Sequence, residues 1–300
     1  MKDQLLAGKK LTFAAISENI WLIGEDKVLS PKSYFIIIPA LFGNGQSASP
    51  SNTPLKPFPK VTFYDNVRAQ YELVNKGLGI KHARAVLGWS IGASQTYQWA
   101  TQYPDFMDLI VPFCGSAKTS LHNQVFLEGV KSALLAARSD SSIGVAGEER
   151  TKENFVQGTD GKWTKEQREI GLKALGRVYA GWGLSQAFYR EKLYESVLGF
   201  KSLEDFMVNF WEVWALSKDP ENMLVMLNTW QAGDCSAQEP YDGDFEKAMR
   251  SIKAKALVLP GMTDLYFPPE DSDYEVDNMS PGVGRCIAFP SIWGHWAGGM

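Results

Sequence analysis

The sequence predicts an α/β fold, a mostly parallel, doubly wound sheet that carries a helical insertion. Three observations predict it. Apolar runs alternate with helix-period stretches from Tyr34 to Cys114, a Gly-x-Ser-x-Gly pentapeptide sits at one strand-to-helix junction, and Gly115 to about Arg250 shows helical patterning only. The sheet then resumes at Ala256-Leu-Val-Leu-Pro260. The expected division is 1–115 with 251–300 as the sheet-bearing core and 116–250 as the insertion.

Each element has its own signal. Lys10 to Ile16 can form a short strand, and Asn19 to Gly24 reads as an irregular connection. Tyr34-Phe-Ile-Ile-Ile-Pro39 is a β-branched run of the kind buried on both faces of a parallel sheet, followed by a Gly, Ser and Pro-rich loop to Pro59. Asp65 is expected to cap a helix whose apolar residues Val67, Tyr71, Val74 and Leu78 recur at steps of three and four, closed by Gly77 and Gly79. Ala83 to Leu87 then makes a strand, a helix runs to Tyr103, and Leu109 to Cys114 makes the next buried strand.

Within the insertion, Ser139 to Arg168 is polar and Gly-rich and reads as a mobile loop. Phe206, Phe210 and Trp214, with Met207 and Trp211, mark one apolar helical face, and Asp219-Pro220 opens a helix carrying Met223, Leu224, Leu227 and Trp230. A helical insertion between two sheet strands is expected to act as a lid. Its aromatics, including Trp182 and Tyr189, then divide between plain core packing and the wall of an acyl pocket. Arg285 to Phe289 supplies the last strand.

The pentapeptide lies within Leu87-Gly88-Trp89-Ser90-Ile91-Gly92-Ala93. Between strand and helix it forms a nucleophile elbow, in which a sharp turn lifts Ser90 Oγ clear of the sheet. Side chains at Gly88 and Gly92 are expected to collide with neighbouring backbone. The first free N–H groups of the helix, Ile91's foremost, point to where an attacked carbonyl oxygen becomes an oxyanion. Taken alone, the pentapeptide also fits an ordinary turn with a solvated serine. Its weight comes from its partners.

Serine is a poor nucleophile at its free pKa and needs a histidine base, itself oriented by a carboxylate. Asp264 follows the strand Ala256 to Pro260 through a turn at Gly261, where such an acid belongs; Asp271 and Asp273 are the alternatives, in a polar segment further along. Of the three histidines, His82 lies at the end of the sheet away from Ser90 and reads as a surface residue, and His122 opens the insertion and stays open as a base. His295 follows the last strand. It completes the chain order Ser, Asp, His, each residue beyond a strand's C-terminal end.

Composition excludes other classes. In 300 residues with 45% hydrophobic content and a net charge of −4, Lys and Arg are scattered, which argues against nucleic acid or an anionic membrane surface as partner. Small neutral or apolar substrates fit better. Cys114, Cys235 and Cys286 are widely separated and odd in number, so neither a disulfide framework nor a metal site is indicated, and no cofactor is expected. Met1 to Ile16 is broken by Lys9 and Lys10 and builds no signal-peptide core, and no apolar run reaches the roughly 18 residues of a membrane span. The expectation is a soluble, intracellular chain.

Phe35 to Asn52, Phe63-Tyr-Asp-Asn-Val-Arg-Ala-Gln70, Gly88-Trp-Ser-Ile-Gly-Ala-Ser-Gln95, Thr263-Asp-Leu-Tyr-Phe-Pro268 and Pro290-Ser-Ile-Trp-Gly-His295 together resemble the homoserine O-acetyltransferase-like branch of the α/β hydrolases. The likeness runs from about Trp21 to the end, and within the branch it is most similar to fungal esterase-lipase-like proteins of host-selective toxin and polyketide gene clusters, some of them peroxisomal. The resemblance implies Ser90 as nucleophile, Asp264 as acid and His295 as base; Trp89 and Trp296, each next to a triad residue in chain, are the candidate substrate-binding residues. It implies a role in toxin biosynthesis and virulence, leaves a homodimer open, and points to the peroxisome although Gly298-Gly299-Met300 is no peroxisomal address; otherwise the chain is cytoplasmic.

Two departures qualify the likeness. True homoserine acetyltransferases carry an aspartate after the catalytic histidine, whereas Trp296 stands here and has no charge to offer an amino acid. By family alignment 34–39 matches the fourth strand, yet only 33 residues precede it, and five follow His295, so the fold looks shortened at both ends. Lys10 to Ile16 is then the candidate third strand, with Ile16 or Ser17 giving a second oxyanion N–H. The reading is a serine hydrolase acting on an apolar acyl ester or thioester. An acyltransferase with the same triad and a catalytically impaired binding protein are its competitors.

Overall fold

The computed structural model describes residues 22–138 and 163–298. Among the described residues four parallel strands form one sheet in the order β1 (Ala83–Trp89), β2 (Met107–Phe113), β3 (Lys255–Val258) and β4 (Gly284–Cys286). Bridges from Phe113 to Leu259 and from Gly261 to Phe289 prolong the pairing beyond the C-terminal ends of the strands. Since all strands point the same way, the loops that leave them gather at one edge of the sheet.

The helices in chain order are α1 (Phe63–Glu72), α2 (Ile91–Gln102), α3 (Leu121–Leu135), α4 (Lys165–Gly183), α5 (Gln186–Arg190), α6 (Leu193–Ser196), α7 (Leu203–Phe206), α8 (Val213–Leu216), α9 (Pro220–Gln231), α10 (Phe245–Arg250) and α11 (Pro269–Asp277). A π-helical stretch, Met207–Glu212, joins α7 to α8. Every named element between β2 and β3 is therefore helical. The aromatic face expected over 206–214 exists, with Phe206 and Trp211 buried.

One core cluster lies between the sheet and the helices α1, α2 and α10, with Val67, Tyr97, Ile110, Met249 and Val258 at its centre. A second joins α3, α4 and α9 to Tyr266 and Phe267 of the loop after β3. A third gathers Phe188, Phe206 and Trp211 around Trp293 and Trp296 of the loop after β4. The helical insertion is thus packed onto the two loops that follow β3 and β4. Burial of those rings is the dominant favourable term there, at about 25 cal/mol per Å² of apolar surface.

Several sequence expectations need correction. The run 34–39 forms no strand: Tyr34 is 47% and Phe35 58% exposed, and only Ile37 packs against the first core cluster. β-branching favours an extended chain, but a strand also needs a ladder, and none of the β-bridges among the described residues involves 34–39. On β1 the ladder to β2 is the one present among the described residues. Lys10 to Ile16, expected beside β1, lies outside the described residues, as do Ile16 and Ser17 as oxyanion donors and most of the loop expected over 139–168.

Asp65 is not the N-cap of α1. Thr62 is, with its hydroxyl accepting from the Asp65 backbone N–H at 3.3 Å, while Asp65 Oδ2 accepts from the Thr62 N–H at 2.9 Å in a reciprocal capping box. The helix start at Asp219-Pro220 stands as read, and Asp219 proves to be its N-cap, its carboxylate accepting from the Glu221 and Asn222 N–H groups, with Pro220 in the first turn. Thr62→Ala should cost about 1 kcal/mol, measured as a lower denaturation midpoint at an unchanged slope.

Candidate active site

Ser90 follows β1 directly and starts α2. Its backbone stands at φ 60°, ψ −128°, a conformation that costs a non-glycine residue on the order of 1–3 kcal/mol and that aims the side chain out of the turn. Close approach makes that turn possible. A Cβ on Gly88 would lie 2.2 Å from the Gly92 carbonyl oxygen, and one on Gly115 would lie 2.5 Å from the Ser90 carbonyl oxygen. Gly92 differs from its expectation, because a Cβ there meets nothing within 4 Å. The Ser90 N–H donates to the Phe113 carbonyl at 3.2 Å and ties the elbow to the end of β2.

His295 is buried beside it. Its Nε2 lies 2.9 Å from Ser90 Oγ, and its Nδ1 lies 2.8 Å from Asp264 Oδ2. The other oxygen of Asp264 accepts from the Tyr266 N–H at 2.8 Å and the Phe267 N–H at 3.3 Å, so the acid is fixed by its own loop. The imidazole is held on several sides. Trp89 stacks on it at 5.0 Å between centroids, Tyr266 meets it edge-on at 4.8 Å, and the Trp89 indole N–H donates to the His295 carbonyl at 3.2 Å. With Nδ1–H given to the carboxylate, Nε2 is left free to accept the serine proton.

Other partners set the loop that carries His295. Gly294 has φ +62°, and a Cβ there would lie 2.6 Å from the Ser185 nitrogen, so His295 arrives on a left-handed glycine pressed against the helical insertion. Thr263 Oγ1 donates to the Ser291 carbonyl at 2.7 Å and accepts from the Gly294 N–H at 3.1 Å, joining the Asp264 loop to the His295 loop. Cys114, at φ 47°, is buried close by; burial, then the Asp264 carboxylate, push its thiol up to about 12, which keeps it protonated. Thr263 and Gly294 lie inside the stretches that carry the family resemblance but receive no role there, and Gly115 is read only as a boundary.

The remaining sequence candidates fall elsewhere. His82 is exposed and pairs with Asp108 at 2.9 Å, and His122 is exposed against Trp182; no described hydrogen bond joins either to Ser90 or Asp264. Asp271 and Asp273 lie on α11. Trp296 is held among rings of the insertion, 5.4 Å from Phe210 and 5.9 Å from Trp211 between centroids. Ile91 is the first residue of α2, whose leading N–H groups lack intrahelical partners and suit an oxyanion. Among the described residues no group of His, Cys, Asp and Glu could hold a metal ion, and no helix is long and apolar enough to cross a membrane.

No family model matches the chain. Curated relatives and solved structures do. The ethyl acetate hydrolase of Pseudomonas veronii is 34% identical over 253 residues, 83% of this chain and 67% of the relative, and the homoserine O-acetyltransferase of Zymomonas mobilis is 35% identical over 289 residues, 90% and 72%. The structure of an acetylester hydrolase from Corynebacterium glutamicum superposes with a TM-score of 0.79 at 30% identity, covering 92% of this chain and 74% of that one. The fold and the likeness together define an α/β hydrolase. This chain belongs to that family, among its esterase and homoserine O-acetyltransferase homologues, and is an enzyme that acts on ester bonds.

The glycines give the test of the elbow. Gly88→Ala should lower stability by about 2 kcal/mol or more and abolish ester hydrolysis, because the clash is with backbone. Gly92→Ala, with open space and better helix propensity, should keep the unfolding midpoint or raise it slightly. Equal damage from both would refute the distinction.

Proposed function

We propose that this chain is a serine esterase working through an acyl-Ser90 intermediate on small apolar acyl esters. The observation that carries the reading is the relay in which the two nitrogens of one buried imidazole face Ser90 Oγ at 2.9 Å and Asp264 Oδ2 at 2.8 Å. His295 takes the Ser90 proton as Oγ attacks the acyl carbon, Asp264 stabilises the imidazolium, and the Ile91 N–H meets the developing oxyanion. His295 Nε2–H then protonates the departing alcohol. Water, activated by the same nitrogen, releases the acid and restores Ser90.

A short acyl group fits the relatives, whose names specify ethyl acetate and acetyl esters. The insertion 116–250 serves as the lid, since it packs on the loops that carry the acid and the base. Trp89 and Trp296 complete the substrate wall in this reading. A thioester substrate, a homodimer, and a peroxisomal or toxin-biosynthetic setting rest on the sequence resemblance alone.

The second reading is acyl transfer to an alcohol, favoured by the homoserine O-acetyltransferase relatives. Homoserine itself is disfavoured as acceptor. Trp296 follows the base and is ringed by Phe210 and Trp211, and an unpaired buried charge beside such rings costs several kcal/mol.

Ser90→Ala should cost on the order of 10⁶-fold in kcat toward an activated acetyl ester, while His122→Ala leaves the rate within about twofold. Near-normal hydrolysis by Ser90→Ala would sink the reading. In a partitioning assay with acetyl-CoA or an acetyl ester, added homoserine should yield less O-acetylhomoserine than acetate. An excess of the acetylated amino acid would replace the esterase by the acetyltransferase.

A further inference from the structure

The sheet pairing that carries the chain toward His295 ends at Phe289, whose N–H donates to the Pro260 carbonyl at 3.0 Å and whose carbonyl accepts from the Met262 N–H at 3.0 Å. Past that point the support changes in kind. From Ser291 to Gly294, where a closing 3-10 turn starts, the described backbone hydrogen bonds outside that turn go to side-chain hydroxyls. Thr263 Oγ1 holds the Ser291 carbonyl and the Gly294 N–H, Ser291 Oγ accepts from the Trp293 N–H at 3.1 Å, and Ser185 Oγ donates to the Ile292 carbonyl at 2.5 Å.

Of these hydroxyls, Ser185 belongs to the helical insertion. It stands between α4 and α5, is 2% exposed, and caps α5 by accepting from the Phe188 N–H at 3.0 Å. A hydroxyl has one proton to give, and here that proton goes to Ile292 while a lone pair serves the cap. Two further contacts fall on the same short segment. A Cβ on Gly294 would lie 2.8 Å from the Leu184 carbonyl carbon, and the Phe188 ring is 5.4 Å from Trp293 between centroids.

We propose that Ser185 is a positioning residue for His295, a hydroxyl by which the seated insertion keeps Nε2 directed at Ser90 Oγ. It acts through Ile292, three residues before His295, and no described hydrogen bond joins it to Ser90 or Asp264. With the donor gone, the Ile292 carbonyl loses its described partner, and the segment has no ladder of its own to restore its path. Misplacement of a reacting group by about 1 Å costs on the order of 10²-fold in rate. Both proton transfers of the ester reaction pass through Nε2, so the loss falls on kcat and leaves ground-state binding alone.

The proposal rests on the esterase reading, and two readouts separate them. On an activated acetyl ester, Ser185→Ala should lower kcat about 10- to 100-fold with KM within about twofold. Thr164→Ala removes the N-cap of α4, whose described hydrogen bonds stay within the first turn of that helix, and should leave kcat within about twofold. Near-normal kcat in Ser185→Ala, an equal loss in Thr164→Ala, or a loss carried by KM alone overturns the proposal. Should Ser185→Ala fail to fold, Ser185→Gly replaces it, because glycine is tolerated at an N-cap and brings no hydroxyl; normal kcat there counts equally against the proposal.

The second readout needs no substrate. Ring-nitrogen NMR shifts of isotope-labelled His295 should report one tautomer, Nδ1–H, in the wild type and in Thr164→Ala, and an average of two in the Ser185 variants, whose imidazole is no longer held to Asp264. An averaged signal already in the wild type, or an unchanged single tautomer in the variants, overturns the positioning role. If the wild type hydrolyses no ester while the tautomer responds to Ser185 as stated, the esterase reading falls and the positioning role stands.

Discussion

The constraint on which the site depends is the backbone of Ser90, held at φ 60° between a strand and a helix. Such a conformation persists only where neighbours over-determine it. Here the neighbours are backbone on both sides: Gly92 over Gly88, Gly115 against the Ser90 carbonyl, and the Phe113 carbonyl on the Ser90 N–H. The strain is paired with a gain in direction. One turn sets the half-buried Ser90 hydroxyl beside the free N–H groups of a helix start, the pairing that the proposed acyl chemistry uses.

Parallel pairing does the rest of the positioning. Ser90, Asp264 and His295 are far apart in sequence, yet they follow β1, β3 and β4, whose C-terminal ends share one edge of the sheet. β2 contributes the support, through Phe113 and Gly115. The loops after β3 and β4 are tied together by Thr263, and their rings are sealed under the insertion by Tyr266, Phe267, Trp293 and Trp296. The helices between β2 and β3 therefore pack on the loops that carry Asp264 and His295, which links that packing to the geometry of the Ser90, His295 and Asp264 contacts.

Much of this was legible in sequence because the signals were local. A Gly-x-Ser-x-Gly between an apolar run and a helix-period stretch has few structural solutions, and so does Asp-Pro before an amphipathic run. What escaped depends on partners distant in the chain. The run 34–39 has strand chemistry and no ladder among the described residues, Gly115 and Gly294 matter for what presses against them, and Ser185 is one serine among many until Ile292 is beside it. Gly92 erred the other way. It matched the pattern, but the elbow's crowding falls on Gly88.

The same contacts bear on how a hydrolase and a transferase separate on one scaffold. Both need the acyl-serine, so the relay is common to them, and the difference must lie in what can stand next to His295 when the acyl group leaves. In this chain the position after His295 is Trp296, whose ring is committed to Phe210 and Trp211, and Trp89 stacks on the imidazole itself. A water molecule asks for no charge partner there, whereas a zwitterionic acceptor does. Trp296 brings no such partner, which accords with the proposed hydrolysis rather than transfer to an amino acid.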